Sequence, residues 1–328
     1  RGGILSRKKD TDYLAISTRI HAMENRMLTR ERMDRMIDAR DEGEALKILS
    51  ECGYGGSEGL PAGQSMDEML AQARSQVFGE IRGAVPDPRV ADVFQMKYDY
   101  HNAKTLVKGE ALGVEADRLL LGGGRYGPKE LSEGFGKDSL SWVSTRFLRA
   151  IQEARAVLRE TRDPQRADVA LDKACFEEMA QLAKDCRSPY LEGYVRLSVD
   201  AANLRTAVRV ARMEKGSDFL LQVLLPGGSV SEKALAAARG EELGALFQTG
   251  PLAQAAQLGA QAAKPAGGSL TAFERECDNA LTAYVAGAKR VPFGEETVIA
   301  YLYAKEAEFT AIRTIFASRR AGLDGPAI

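Results

Sequence analysis

The chain has 328 residues, 45% of them hydrophobic and 28% charged, a composition that excludes a disordered tail or a fibre. At roughly 150 residues per domain, this length suggests about two domains. Its 45 basic and 46 acidic residues give a net charge of −1, so no general attraction to nucleic acid or to an anionic membrane is expected.

Helical patterns run along the whole chain, beginning with an apolar face formed by Tyr13, Ile16, Ile20, Met23 and Met27. Alanine, the best helix former, is the commonest residue, and no stretch alternates apolar and polar residues as a half-buried strand would. Further helix starts are predicted where a capping residue precedes a helical pattern, at Thr29, Ser65, Asp163, Ser188 and Thr271. The sequence therefore predicts an all-α fold.

The longest run without a charged residue covers residues 243–263. It contains glutamines, glycines and a proline, and it is too polar for the hydrocarbon of a bilayer. We therefore expect an alanine-rich surface helix here and no direct transmembrane insertion. Residues 1–10 are basic, but no apolar segment follows them, so no secretory leader is expected.

Few residues of this sequence carry obvious chemistry. The cysteines lack a Cys-x-x-Cys pair and are expected to be reduced packing residues in an intracellular protein. His21 lies three residues before Glu24, but no second His-x-x-Glu pair completes a metal site. Nothing ties His21 or His101 to a nucleophile. We expect no metal and no catalytic residue.

Two glycine-rich segments, residues 121–125 and 226–229, raise the question of a phosphate-binding loop. Neither is followed by Gly-Lys-Ser/Thr, and neither is preceded by a predicted strand. Both are therefore predicted to be turns, and no cofactor is expected.

A short pattern occurs three times in predicted helices: an acid, a small or amide residue three positions later, a cation five positions later, and then threonine. The copies lie 101 and 108 residues apart and comprise Asp99, Asn102 and Lys104; Asp200, Asn203 and Arg205; and Glu308, Ala311 and Arg313. A second landmark, a polar helix start at Thr29, near Gly127 and at Ser231, recurs at steps of 98 and 104 residues. These spacings predict three helical repeat units, residues 1–115, 116–217 and 218–328.

The three cations of this pattern have two interpretations. Lys104, Arg205 and Arg313 are ordinary solvated charges, or they converge around a shared axis and take counter-charges from a partner protein. The repeat alone leaves both open.

Several segments resemble the family formed by the C subunits of V/A-type rotary ATPases, known in eukaryotes by the letter d. They are residues 13–29, 44–54, 99–113, 200–209 and 225–231, and above all the run from Phe293-Gly294-Glu-Glu to Arg313. The matches follow one another in the order of the family and span nearly the whole chain.

The resemblance implies three similar helical domains around a pseudo-threefold axis, forming a funnel. It implies a non-catalytic rotor adaptor without a nucleotide site, on the cytoplasmic face of the membrane. Its partners would be the central-stalk rotor subunits of D and F type and the membrane proteolipid rotor ring, with one copy in a larger complex. Torque would pass through it between ATP hydrolysis or synthesis and ion transport, such as proton transport.

The resemblance also implies a polar inner surface of the funnel. The residues expected to line or lock it are Lys104, Arg205, Arg313, Asp99, Asn102, Asp200, Asn203 and Glu308, with Arg125 as a further partner contact. Ala311 replaces the amide in the third copy, so the three copies are not fully equivalent.

Two alternatives remain at this stage. One is a helical scaffold of another complex with the same architecture, and the other is a helical hydrolase or transferase that uses His21 or His101. Binding to stalk and ring separates the first from the rotor adaptor, and the effect of a His21→Ala substitution on activity tests the second.

Overall fold

The computed structural model describes residues 10–55, 65–265, 267–287 and 294–325 of the chain. Every regular element in these residues is a helix, which confirms the all-α prediction. Two short 3-10 helices cover Asp10–Tyr13 and Asp117–Leu119. The α-helices are α1 (Leu14–Glu24), α2 (Arg30–Ile37), α3 (Glu42–Glu51), α4 (Met66–Ala84), α5 (Arg89–Leu112), α6 (Pro128–Gly136), α7 (Thr145–Thr161), α8 (Pro164–Asp185), α9 (Pro189–Arg212), α10 (Ser217–Val223), α11 (Glu232–Ala237), α12 (Glu242–Leu246), α13 (Ala253–Ala262), α14 (Leu270–Ala286) and α15 (Glu295–Arg320).

The described residues fall into two compact units. The central unit is drawn from Asp99–Leu120 and Lys129–Arg290, and the terminal unit from Lys8–Tyr98, Leu121–Pro128 and Val291–Ile328. The terminal unit thus combines segments from both halves of the sequence. The predicted boundaries at residues 115 and 217 were placed by the sequence repeat, whereas these two units are defined by compactness. The three repeat units stay a prediction.

Most predicted helix starts are confirmed by side-chain caps. The hydroxyl of Thr29 accepts the N–H of Arg32, and the hydroxyl of Ser65 accepts that of Glu68. Asp163 and Ser188 likewise cap α8 and α9, each directly before a proline in the first turn. The expected cap at Thr271 is wrong. Ser269 accepts the Ala272 N–H instead, so α14 begins before Thr271.

In the central unit, the core forms where α9 packs against α8, α13 and α14. Its fully buried members include Leu204 and Val208 of α9 and Phe273 and Cys277 of α14. Gly259 of α13 brings the helices close together, because a Cβ there would lie 2.9 Å from the Phe273 ring. Small residues therefore set the spacing of this core.

The terminal unit has a core built from distant parts of the sequence. Phe309, Ile312 and Phe316 of α15 join a cluster with Met36 of α2 and Leu49 of α3. Helix α15 also packs against α1. The N-terminal helices therefore depend on α15 for a large part of their apolar contacts.

The uncharged run at residues 243–263 differs from the expected single surface helix. It forms α12 and α13 with a turn between them, and α13 buries Ala255, Ala256 and Ala260. Alanine side chains are small enough for close helix packing, so one face of α13 is buried. The glutamines of α13 lie on its exposed face. Within the described ranges, none of the helices has the length and apolar character needed to span a lipid bilayer.

Helices α5, α9 and α15, which carry the repeated motif, end in the same way. A residue with positive φ lies just past the end of each helix: Gly113 after α5, Glu214 after α9 and Gly322 after α15. The next N–H then bonds back five residues, from Val114 to Gly109, Lys215 to Val210 and Leu323 to Ser318. This is a Schellman ending, in which two backbone bonds close the last helical turn. Its three occurrences keep the spacing of 101 and 108 residues, which extends the sequence repeat to the helix ends.

Candidate functional site

The acids and amides of the repeated motif are buried. Asp99 and Asn102 are fully buried, and Asp200, Asn203 and Glu308 are at most 6% exposed. A buried carboxylate must be hydrogen-bonded or paired to offset its desolvation. The partners of Asp200 and Glu308 show what this part of the motif does.

Asp200 and Asn203 hold the glycine-rich loop at residues 225–230 against α9. One Asp200 oxygen accepts the N–H of Ser229 at 2.9 Å, and the other accepts the Ser229 hydroxyl at 2.5 Å. The Asn203 amide bonds both backbone groups of Leu225, donating to its O at 2.9 Å and accepting from its N at 2.8 Å. A Cβ at Gly228 would overlap the Asp200 carboxylate, so the close approach requires glycine. These contacts fix the chain just ahead of α11.

Glu308 performs the same task for the segment ahead of α2. One of its oxygens accepts the N–H of Leu28 at 3.4 Å, directly before the cap residue Thr29. The other accepts the Tyr54 hydroxyl at 2.5 Å and lies 3.3 Å from the ammonium of Lys305. Burial and the nearby Glu308 charge raise the pKa of Tyr54 above its usual value, which keeps the phenol protonated as a donor.

The two sequence landmarks are therefore parts of one structural device in these two copies. Asp200 binds the loop that precedes Ser231, and Glu308 binds the loop that precedes Thr29. In the second copy, the acid and the capped helix are near each other in the sequence. In the third copy, Glu308 and the Leu28 N–H that it accepts are 280 positions apart in the sequence. The motif and the polar helix starts recur at similar spacings in the sequence, which indicated that they belong together. The spacing did not show which acid binds which loop.

The cations at the fifth position of the motif meet acids on a neighbouring helix in two copies. Lys104 lies 2.5 Å from Asp172 of α8, and Arg205 pairs with Asp278 of α14. One turn later, Lys108 lies 3.1 Å from Asp168, and Arg209 pairs with Glu274. In α8 and in α14, the acids occupy the fifth and ninth residues of the helix. The two copies thus share a ladder of two ion pairs.

The third copy lacks this ladder. The fifth and ninth residues of α4 are Leu70 and Arg74, and α15 has Ala317 one turn after Arg313. Arg74 is 2% exposed, donates to the Gly122 carbonyl at 3.0 Å and lies over the Tyr98 ring. Arg313 is exposed and forms no hydrogen bond or ion pair with any residue that the structure describes.

Burial lowers the pKa of the Arg74 guanidinium below its usual value, and the positive charge of Arg313 acts in the same direction. Two residues of like charge thus occupy the positions that hold an ion pair in the other two copies.

The glycine-rich segment at residues 121–125 forms a turn, as predicted. Its carbonyl groups accept hydrogen bonds from Arg74 and Gln95. Gly123 has a φ of +104°, and a Cβ there would lie 2.9 Å from that of Arg74. Arg125, the further partner contact that we predicted, is half-buried and lies 4.9 Å from the Tyr126 ring. The glycines therefore allow close packing on Arg74.

The cysteines and histidines occupy ordinary environments. The four cysteines are buried, and burial raises the pKa of the Cys277 thiol to about 11. His21 lies 3.6 Å from Glu24, and His101 lies 3.3 Å from the Leu119 carbonyl. No group of three potential metal ligands occurs among the described residues.

The Lys104–Asp172 ion pair is expected to contribute little to stability because both side chains are partly exposed. A double-mutant cycle with Lys104→Ala and Asp172→Ala should give a coupling free energy of about 0.5 kcal/mol, decreasing at high salt. Urea unfolding of the four proteins at low and high salt measures it. A salt-independent coupling above about 2 kcal/mol would contradict this prediction.

The described residues define an all-helical protein in which two copies of the repeated motif hold the loops that precede capped helices. The family described as ATP synthase (C/AC39) subunit matches residues 16–328. The chain belongs to this family, which places it among the subunits of rotary ATPases and confirms the resemblance noted in the sequence.

Individual relatives agree with this assignment, and each is the C subunit of its enzyme. The chain is 23% identical over 314 residues to that of the V-type sodium ATPase of Enterococcus hirae, covering 94% of each chain. It is 27% identical over 324 residues to that of the V-type ATP synthase of Thermus thermophilus, again covering 94% of each. It is 28% identical over 262 residues to that of the A-type ATP synthase of Haloferax volcanii, covering 74% of each.

Proposed function

We propose that the chain is a non-catalytic rotor adaptor, which links the central stalk of a V/A-type ATPase to the membrane proteolipid ring. In this role it transmits torque between ion transport and ATP hydrolysis or synthesis. The observation that carries the proposal is the family match across residues 16–328. The chain would bind stalk subunits of D and F type and lie on the cytoplasmic face of the membrane through its contact with the ring.

The proposed architecture is a funnel of three similar helical domains, with bounds at residues 115 and 217. The common ending of α5, α9 and α15 and the shared loop anchors support three related units. A torque-bearing part must resist twisting, and the buried anchors at Asp200 and Glu308 tie helices to loops by several hydrogen bonds each. Stiff local structure is therefore consistent with this role.

Co-purification tests the proposal directly. The folded chain should bind the purified stalk subunits and, in a separate assay, the detergent-solubilised proteolipid ring of the same organism. Helical circular dichroism of the same sample confirms folding. Binding to neither component by a folded sample would overturn the rotor-adaptor function.

The cations are proposed to face the stalk. Replacing Lys104, Arg205 and Arg313 together by alanine should weaken stalk binding at least about tenfold, because acidic groups of the stalk lose the positive charge that faces them. Helicity should stay unchanged, since these side chains are partly exposed or exposed. Titration calorimetry measures the affinity, and an unchanged Kd would remove the three residues from the interface.

A further inference from the structure

The cation of the third copy, Arg313, differs from its two counterparts in having no acid to pair with among the residues that the structure describes. Lys104 and Arg205 pair with Asp172 and Asp278. The equivalent residue on α4 is Arg74, which is buried and already bonded to Gly122. The third copy thus exposes a positive charge at a position where the other two are neutralised within the chain.

The carboxylate whose charge acts most strongly on Arg74 is already engaged. Both oxygens of this residue, Glu306, accept from the Tyr98 hydroxyl, at 2.8 and 2.7 Å, and Glu306 also pairs with Lys97. Asp67 acts on Arg74 and Arg320 through its charge, without an ion pair to Arg313 in the described residues. Lys305 pairs with Glu308. The positive charges of Arg74 and Lys97 are thus matched by Glu306 and Asp67, and that of Lys305 by Glu308, which leaves the charge of Arg313 itself without a counter-ion among the described residues.

We propose that Arg313 is the docking point for a carboxylate group of the central-stalk protein. This proposal rests on the function proposed above. A guanidinium binds a carboxylate through two parallel hydrogen bonds, which fixes the direction of the partner group as well as its position. The exposed charge of Arg313 on α15 is complementary to an acidic side chain.

The asymmetry among the copies selects one orientation of the partner. An acid of the stalk finds Lys104 and Arg205 already neutralised by Asp172 and Asp278, and it gains a new ion pair only at Arg313. Specificity is a difference in affinity between competing arrangements. Of the three related helices, α15 therefore carries the preferred docking position.

The experiment measures the Kd of the full chain for the purified stalk subunits by titration calorimetry across a range of salt concentrations. Arg313→Ala is compared with Lys104→Ala and Arg205→Ala, the matched substitutions in the paired copies. We expect about a tenfold weaker Kd and a smaller salt dependence for Arg313→Ala, changes below about threefold for the other two, and near wild-type binding for Arg313→Lys.

A second pair of variants supplies the missing acid within the chain. Ala317 is exposed and lies one helical turn after Arg313. Ala317→Glu gives Arg313 an internal partner and should weaken stalk binding, whereas Ala317→Gln, of nearly the same size, should not.

The outcomes separate this inference from the proposed function. If the wild-type chain binds the stalk and Arg313→Ala binds equally well, the docking point is wrong while the rotor function stands. Equal losses for all three alanine variants would also overturn it. If Arg313→Ala lowers binding only to vesicles of anionic phospholipid, the carboxylate assignment is wrong. Absence of any stalk binding by the wild-type chain overturns the proposed function itself.

Discussion

Replacing Asp200 by alanine is expected to lower the free energy of unfolding of the central unit by about 3 kcal/mol. The substitution removes the acceptor for the N–H groups of Ser229 and Val230 and for the Ser229 hydroxyl. These donors lie in a part-buried loop, where an unmade hydrogen bond costs its desolvation energy. Urea unfolding followed by circular dichroism measures the change, and hydrogen exchange should show faster exchange at the Ser229 amide.

Two variants test whether the loop contact is the cause. Asp200→Asn keeps one acceptor oxygen and should lose about half as much stability. Gly228→Ala should also destabilise the unit, because its Cβ would overlap the Asp200 carboxylate. In the double variant with Asp200→Ala that overlap is relieved, so the combined loss should be smaller than the sum of the two single losses. Full additivity, or unchanged Ser229 exchange, would contradict the contact.

Glu308→Ala should destabilise the terminal unit by about 3 to 4 kcal/mol. The carboxylate accepts from the Tyr54 hydroxyl and the Leu28 N–H and neutralises Lys305, whose side chain is 13% exposed. Removing it leaves a largely buried ammonium group without a counter-ion. Chemical unfolding measures the loss, and limited proteolysis should show faster cleavage in the segment before α2.

Removing the stranded charge gives the matched control. Lys305→Met in the Glu308→Ala background should recover part of the lost stability, because no unpaired ion then remains in the low-dielectric interior. Tyr54→Phe alone should cost about 1 kcal/mol, the contribution of a single hydrogen bond. A Glu308→Ala protein as stable as wild type would show that the carboxylate does not hold this segment.

Local features of this fold could be predicted from the sequence because their causes are local. Helix caps such as Ser65 and Ser188 act on N–H groups three residues away. The cap of α14 was misplaced because Ser269 and Thr271 both offer a hydroxyl, and the choice depends on where the helix packs. The buried face of α13 was missed for the same reason, since alanine fits both surface and core.

The partners of the repeated motif could not be predicted, because they lie far along the chain. A spacing of three residues places Asp200 and Asn203 on one helix face without showing that Ser229 and Leu225 bind there. The acids that pair with Lys104 and Arg205 lie 68 and 73 residues away on other helices. Aligning α4 with α8 and α14 from their first residues shows that Arg74 occupies the position held by Asp172 and Asp278 in the other two helices.

The shared core of α15 and the N-terminal helices has a consequence for biosynthesis. Residues of α15 leave the ribosome after every other described helix, yet Phe309, Ile312 and Phe316 complete the cluster around Met36 and Leu49. One core cluster of the central unit lies within residues 197–280, so this part can pack while synthesis continues. The apolar faces of α2 and α3 stay partly exposed until α15 has been synthesised. In a nascent chain arrested before α15, this cluster of the central unit can be packed while the apolar side chains of the N-terminal helices stay exposed. Chaperones and proteases act on such exposed apolar segments.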